Sequence, residues 1–272
     1  MVEKRGLICC DLDGTLLGPD KQVSKASRQA LADAAAAGFV CAVSSGRHPF
    51  NIFELMDGLE LPPTCVCLSG AATFVDGILI DTIPLGLSAV RAAIAVAANE
   101  AAYVSVGGAD FNASCGRVSR GKESSAPAFS RYDEVTSYEE LEDYASKRAG
   151  RLLKLAMHAK DQAQYDRLRA ELSKVDGVRC ARSDVNWIDV TAASCTKAEG
   201  IRVLANHFGL GKSKVAVLGD DENDIEAIAE AGLGIAMGNA IPAVKEAASM
   251  VVQDNIHDGA ANGIRAAISA LT

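Results

Sequence analysis

The chain has 272 residues, of which 49% are apolar and 23% charged, with eight cysteines and a net charge of −8. Those proportions exclude a fibre or a disordered chain and predict one large or two smaller packed cores. The negative charge, unrelieved by any run of Lys and Arg, argues against a nucleic-acid partner.

Near the N-terminus, Lys4 and Arg5 precede only four apolar residues, too few for a secretory segment. The most apolar helical stretch, Leu87 to Ala98, carries Arg91 and falls short of a bilayer. A cytoplasmic protein without a membrane partner is expected. The scattered cysteines, mostly in apolar runs (Cys9, Cys10, Cys41, Cys65, Cys67), read as small buried hydrophobes and not as disulfides or a zinc site.

Short apolar runs then alternate with helical segments. Leu7–Cys10, Phe39–Val43 and Cys65–Leu68 come first, with a helix capped by Ser24 and closed by Gly38 between the first two. Thr73–Val75 and Ile78–Ile80 flank Asp76-Gly77, a hairpin signal. Residues 84–186 read as a self-contained α+β insert. Its predicted helices are Ser88–Ala101, Tyr138–Ala149 and Gln162–Lys174, and its strands are Tyr103–Val106, Leu152–Met157 and Val178–Ala181. Ser137 and Glu140 make a capping box, and Ser119–Ser130 reads as an exposed loop. Val215–Leu218, Ile235–Met237 and Met250–Val252 resume the first pattern. The fold class is therefore α/β: a Rossmann-like parallel-sheet core, residues 1–83 and 187–272, carrying an inserted α+β cap, residues 84–186.

Two acidic clusters sit at strand ends, where open α/β sheets bind ligands. Asp11-Leu12-Asp13-Gly14-Thr15 follows the first strand. The turn allowed by Gly14 can bring Asp13 back over Asp11, so that one acid attacks while the other shuttles a proton; the alternative is an ordinary capped turn. Gly219-Asp220-Asp221-Glu222-Asn223-Asp224 follows a later strand and opens a helix. Four acids in five residues repel one another unless a cation neutralises them, and hard oxygen donors suit Mg²⁺. Glu222 has a structural alternative, since a helix N-terminus favours acids. The clusters meet only if the strands before them are neighbours.

With Ser44-Ser45-Gly46-Arg47 and Lys197, these clusters resemble the four motifs of the haloacid dehalogenase superfamily. The position of the insert, the tail Ala236-Met237-Gly238-Asn239-Ala240 and the later Asp258-Gly259 resemble its Cof-type phosphatases with a IIB cap. The resemblance implies hydrolysis of a small phosphate ester through an aspartyl-phosphate, with Asp11 as nucleophile and Asp13 as general acid and base. It implies Mg²⁺ held by Asp11, the carbonyl of Asp13 and Asp220, with Asp224 behind them or acting through water. The phosphoryl oxygens would meet the N–H of Leu12, the Ser45 hydroxyl, the N–H of Gly46, Lys197 and the Asn223 amide. Lys197 on its own would read as a solvated surface charge.

Two departures from the family pattern stand out. Ser44-Ser45 replaces the frequent Ala-Thr, keeping a hydroxyl at Ser45, and Leu68-Ser69-Gly70 stands where Asn-Gly is common. A phosphotransferase or mutase would use the same residues, and a non-catalytic phosphometabolite-binding regulator would share the fold. Asp11 and Asp13, both present, argue against the latter. Gly211-Lys212-Ser213 lacks the glycine of a phosphate-binding loop. Asn112-Ala113-Ser114 is a sequon without an export signal. His48 reads as a surface residue. Arg117, Lys122 and Arg131 are candidates for contact with the leaving group.

Overall fold

A computed structural model describes residues 4–116 and 133–272. Arg117, Lys122, Arg131 and the stretch read as an exposed loop lie outside them. The strands β1 (Leu7–Cys10), β2 (Val40–Ser44), β3 (Cys65–Cys67), β4 (Ala72–Val75) and β5 (Ile78–Thr82) come first. Next are β6 (Tyr103–Gly107), β7 (Asn112–Cys115), β8 (Asp133–Glu134), β9 (Lys154–His158), β10 (Val178–Asp184) and β11 (Trp187–Ala192), and last β12 (Val215–Gly219), β13 (Leu233–Ala236) and β14 (Met250–Val251). The helices are α1 (Lys25–Ala36), α2 (Pro49–Asp57), α3 (Leu87–Asn99), α4 (Tyr138–Ser146), α5 (Gln162–Leu172), α6 (Lys197–His207), α7 (Ile225–Glu230), α8 (Pro242–Ala247) and α9 (Gly259–Leu271).

The chain divides into two compact units, one of residues 1–47, 52–81 and 196–272, the other of residues 48–51 and 82–195. The first is built on an eight-stranded sheet in the order β14-β13-β12-β1-β2-β3-β4-β5. From β14 to β3 every pairing is parallel, and β4 turns back antiparallel on β3. Strands β1, β2 and β12 are buried at every position, as parallel strands covered on both faces must be. The Ser24 hydroxyl caps α1 by accepting from the Ser27 N–H, and Gly38 leaves the helix at φ +89°, a left-handed exit that glycine makes without strain. Asp76 and Gly77 both take positive φ, the conformation of a tight hairpin turn between β4 and β5.

The second unit is a six-stranded sheet, order β10-β11-β9-β6-β7-β8, antiparallel except between β7 and β8. One face carries an apolar cluster that includes Val90 and Ile94 of α3, Leu141 of α4, Leu168 of α5, and Val104, Leu155, Ile188 and Val190 of the sheet. Here the structure departs from the expected division at 84 and 187. Trp187–Ala192, read as the return to the core, pairs with β9 and β10 instead, and the first unit resumes at Thr196.

All eight cysteines are free and seven are buried, as their apolar surroundings predict. Among the described residues no helix is long and apolar enough to cross a membrane.

Candidate active site

Parallel pairing decides which strand ends meet. Cys10 stands opposite Leu218, and the Asp11 N–H continues the ladder to the Leu218 carbonyl at 3.0 Å. The two acidic clusters therefore leave the sheet side by side, as the sequence required. Gly14 completes the turn at φ +83°, and a Cβ there would run into the Asp220 carboxylate, so only glycine permits this approach. Thr15 donates its hydroxyl to Asp220 Oδ1 at 2.7 Å.

Lys197 is the first residue of α6, whose N-cap Thr196 accepts from the Glu199 N–H. It is only 2% exposed, against the surface placement its isolated position in sequence suggests. Its ammonium donates to Asp11 Oδ1 and to Asp224 Oδ1, each at 2.7 Å. The Asp224 carboxylate also accepts the N–H groups of Asp220 and Asp221 through Oδ2, which makes it both the partner of Lys197 and the brace of its own turn. Carboxylate oxygens of Asp11, Asp220 and Asp224 all lie within 4.8 Å of one another. Asp224, expected to stand behind the others, is thus a full member of the cluster.

Three carboxylates against one ammonium leave the cluster short of positive charge. Burial, then the neighbouring acids, push Asp11 well above the usual carboxylate range, although Lys197 pulls the other way. Burial likewise drives Asp220 up to about 7, with Asp224 adding to it and Thr15 opposing. Burial would lower Lys197, but Asp11 and Asp224 outweigh it and raise its pKa. The donors are all hard carboxylate oxygens, the set that suits a magnesium-like cation and not a soft metal.

Asp13 is placed differently. Its side chain lies outside the three-acid cluster: Arg47 Nε donates to Oδ2 and Arg47 Nη2 to Oδ1, both at 2.7 Å, and Lys21 Nζ reaches Oδ1 at 2.7 Å. Burial opposes the charge on Asp13, but Arg47 and then Lys21 overcome it and hold the carboxyl below its usual range. Leu12, fully buried, accepts the Leu17 N–H at 2.8 Å through its carbonyl. The Ser45 hydroxyl accepts the Arg47 N–H at 3.3 Å, and Gly46 lies between these two residues. Asn223 is half-buried in the turn before Asp224 and, among the described residues, joins none of the hydrogen bonds that tie the acids together.

The turn Leu68–Gly70 carries one departure from the expected pattern. Ser69 adopts φ 60°, ψ 29°, its N–H bonded to the Ser45 carbonyl at 3.1 Å. This left-handed conformation is one that Asn takes more readily than Ser. Gly70 follows at φ +106°, where a Cβ would strike the Thr196 carbonyl that begins the Lys197 helix. The segment thus serves the backbone of the site.

Lys21, Thr15 and Asn239 were not singled out from sequence. Asn239 donates to the Gly14 carbonyl at 2.8 Å. Thr15 and Asn239 do lie inside recognised motifs, whereas nothing marks Lys21 except its turn.

His48 is 3% exposed, against the surface placement expected from the sequence. Its Nε2 faces the carbonyls of Gly108 and Phe111 at 3.0 and 3.2 Å, so this nitrogen carries the proton. Burial drives its pKa down to about 4, against those two hydrogen bonds. Because the unfolded chain protonates first, near 6.5, this histidine's stability contribution is complete above that pH and is lost as pH falls from about 6.5 to 4, on the order of 3 kcal/mol in all. Unfolding by denaturant at pH 7 and pH 5 should show His48→Gln with a shallower pH dependence than wild type; equal slopes would contradict the assignment.

A model of the family described as haloacid dehalogenase-like hydrolases matches residues 8–264. A 5-amino-6-(5-phospho-D-ribitylamino)uracil phosphatase of Bacillus subtilis is 28% identical over 261 residues, 95% of this chain and 94% of that protein. A pyridoxal phosphate phosphatase of Escherichia coli is 27% identical over 271 residues, 95% and 97% of the two chains. Among solved structures, a subclass IIB sugar phosphatase of the HAD superfamily matches with a TM-score of 0.83 at 22% identity, over 96% of this chain and 98% of that one. A haloacid dehalogenase-like hydrolase from Bacteroides thetaiotaomicron matches with a TM-score of 0.80 at 23% identity, over 97% and 99%. At these identities the structural likeness carries the fold.

Proposed function

The chain belongs to the haloacid dehalogenase-like hydrolases, and we propose from that premise that it is a magnesium-dependent phosphatase of a small phosphorylated metabolite, such as a sugar phosphate. The observation that carries this reading is the Lys197 ammonium held between Asp11 and Asp224 at 2.7 Å, with Asp220 alongside. A buried cation touching a strand-end carboxylate is a preformed receptor for a phosphoryl group. Phosphatases among the relatives that align over most of the chain support it further.

In this reading Lys197 holds Asp11 Oδ1 and leaves Oδ2 to attack phosphorus. The ester oxygen departs with the electron pair of its bond to phosphorus and takes a proton from Asp13, which can carry one only when released from the Arg47 and Lys21 contacts that hold it ionised, giving an aspartyl-phosphate on Asp11. Water then attacks phosphorus, Asp13 receives the water's proton, and the Asp11 carboxylate is regenerated. Lys197, the Ser45 hydroxyl, the N–H groups of Leu12 and Gly46 and the Asn223 amide are assigned to the phosphoryl oxygens, fixed donors for charge that develops in the transition state. Asp11, Asp220, Asp224 and the Asp13 carbonyl are assigned to Mg²⁺, which when bound supplies the charge neutralisation the acids lack and a Lewis acid for the phosphoryl group. The second unit, residues 82–195, is assigned the choice of leaving group, since every residue given a role in phosphoryl chemistry lies in the first.

The reading is tested with a panel of phosphorylated metabolites and Mg²⁺, reading released phosphate. At least one sugar phosphate or similar monoester should be cleaved, and excess chelator should reduce turnover to background because Asp11 and Asp220 then repel each other and the substrate. Full turnover in chelator would remove the metal from the reading.

A further inference from the structure

The tail motifs Ala236-Met237-Gly238-Asn239-Ala240 and Asp258-Gly259 take no part in the phosphoryl chemistry assigned above, yet their surroundings reach the site. After β1 the chain makes a small flap, with bridges pairing Asp13 to Leu17 and Leu17 to Val23. Its first turn hinges on Gly14, and glycine permits that turn without fixing it, because it has more backbone freedom to lose than any other residue. The conformation has to be held from outside. Three contacts do so between Gly14 and Leu17, each from the loop after a different strand. Thr15 donates to Asp220, after β12, at 2.7 Å; the Gly14 carbonyl accepts from Asn239 Nδ2, after β13, at 2.8 Å; the Leu17 carbonyl accepts from Asn255 Nδ2, after β14, at 2.9 Å.

An asparagine in a turn ordinarily bonds its own neighbours. These two instead reach 225 and 238 residues back along the chain. They are also joined to each other, since the Asn255 N–H donates to Asn239 Oδ1 at 3.1 Å. That bond decides the orientation of the Asn239 amide: with its oxygen on a donor, its nitrogen is turned to the Gly14 carbonyl, and it lies 3.5 Å from Asp220 Oδ2. The backbone beneath has little room to shift. The Gly238 N–H donates to the Gln253 carbonyl at 3.0 Å, a Cβ on Gly238 would strike the Asp254 nitrogen, and one on Gly259 the Gln253 carbonyl. The motif glycines thus seat the loops after β13 and β14 against each other, and the asparagines carry that seat across to the flap.

We propose that Asn239 and Asn255 are positioning residues that strap Gly14–Leu17 beside Asp220 and so preorganise the Asp13–Gly14 peptide for the cation. The inference rests on the magnesium reading, in which the Asp13 carbonyl is a ligand. That carbonyl belongs to the peptide entering Gly14, and the strap holds the peptide leaving it. With both sides of the glycine fixed, the carbonyl keeps its direction before any ion arrives. Without the strap, the flap has to be ordered at the moment of binding, and the affinity for Mg²⁺ falls.

The experiment is titration calorimetry of the full chain with Mg²⁺ alone, without substrate, alongside denaturant unfolding in chelator. Asn239→Ala should weaken Mg²⁺ binding about tenfold, the low end of what losing a residue that orients metal ligands costs. Asn255→Ala, which keeps its N–H but loses the Leu17 tether, should weaken it about fivefold. Because one strap runs through both, the double variant should be weakened by about tenfold and not by the product of the two losses. Asn262→Ala is the control: it removes a hydrogen bond to Gln253 Oε1 at 2.9 Å in the same tail, and should unfold near the same denaturant concentration as Asn255→Ala while binding Mg²⁺ like wild type. A dissociation constant within twofold of wild type for either single variant, losses that multiply in the double variant, or an equal loss in Asn262→Ala would overturn the inference while leaving wild-type Mg²⁺ binding, and with it the metal reading, intact. Absence of Mg²⁺ binding by wild type would overturn both.

Discussion

Asp11→Asn should abolish phosphate release, with turnover falling by about 10⁵-fold or more as for the loss of a covalent nucleophile, while the fold survives. An amide is too weak a nucleophile to displace an alkoxide from phosphorus. The fold should survive because Asn presents an oxygen to Lys197 where Asp11 Oδ1 accepts now. Stability should even rise in the absence of metal. Asp11 is an acid that burial and its neighbours Asp224 and Asp220 discourage from ionising, so a neutral replacement relieves repulsion instead of breaking a needed pair. The check is turnover and thermal unfolding measured on the same chelated and Mg²⁺-loaded preparations. Turnover within tenfold of wild type would remove Asp11 from the chemistry.

That inverse relation between activity and stability bears on what could be read in the sequence. The acids were legible because clustered carboxylates are unfavourable without a reason, and two such clusters at strand ends carry that signal locally. Strands β1, β2, β3, β12, β13 and β14 were legible for a similar reason, as short apolar runs. The side chain of Asp13 was not. Its partners are 34 and 8 residues away, and nothing local says that a flap will bring Lys21 back over it.

The misplaced boundary at 187 has a clearer lesson. From Ile188 to Thr191 the residues alternate between apolar and polar, with Ile188 and Val190 entering the apolar cluster, whereas Leu7–Cys10 and Val215–Gly219 carry no charged or hydroxyl side chain. Alternation is the mark of an antiparallel sheet covered on one face, and continuity that of a parallel sheet covered on both. The period of the strand therefore assigned it to the second sheet. The helix α2 went unread because Pro49, at its first position, is as much a loop signal as a helix start, and Phe50, Ile52, Phe53, Leu55 and Met56 give no clean period over so short a segment. Asp189 shows what alternation hides: it is 3% exposed and paired at 2.6 Å with Lys154 on the neighbouring strand, a contact that only the register of β9 against β11 creates.

Lys197 should behave oppositely to Asp11 in stability while failing like it in catalysis. It is the one ammonium inside a group of three carboxylates, bonded to two of them, and its side chain is 1% exposed. Lys197→Met keeps the apolar stem and removes the charge, leaving Asp11 and Asp224 buried without their cation. Breaking a buried pair in this way costs about 3–5 kcal/mol, so chelated protein should unfold at markedly lower denaturant than wild type. Mg²⁺ should recover part of that loss, because a cation bound only by the assembled acids stabilises the folded state. Turnover should not recover with it. A preorganised donor aimed at the phosphoryl oxygens is gone, a loss of about 10²–10³-fold, and a cation among the carboxylates does not stand where Nζ stood. Arginine should not rescue either, since a planar fork cannot replace a point donor that meets two Oδ1 atoms at 2.7 Å from the first turn of α6. The measurement is kcat/KM and denaturant midpoint for wild type, Lys197→Met and Lys197→Arg, each with and without Mg²⁺. A variant as active as wild type with Mg²⁺ and as stable as wild type in chelator would remove Lys197 from both roles; stability restored by Mg²⁺ with activity still lost would separate charge balance from phosphoryl binding in this one residue.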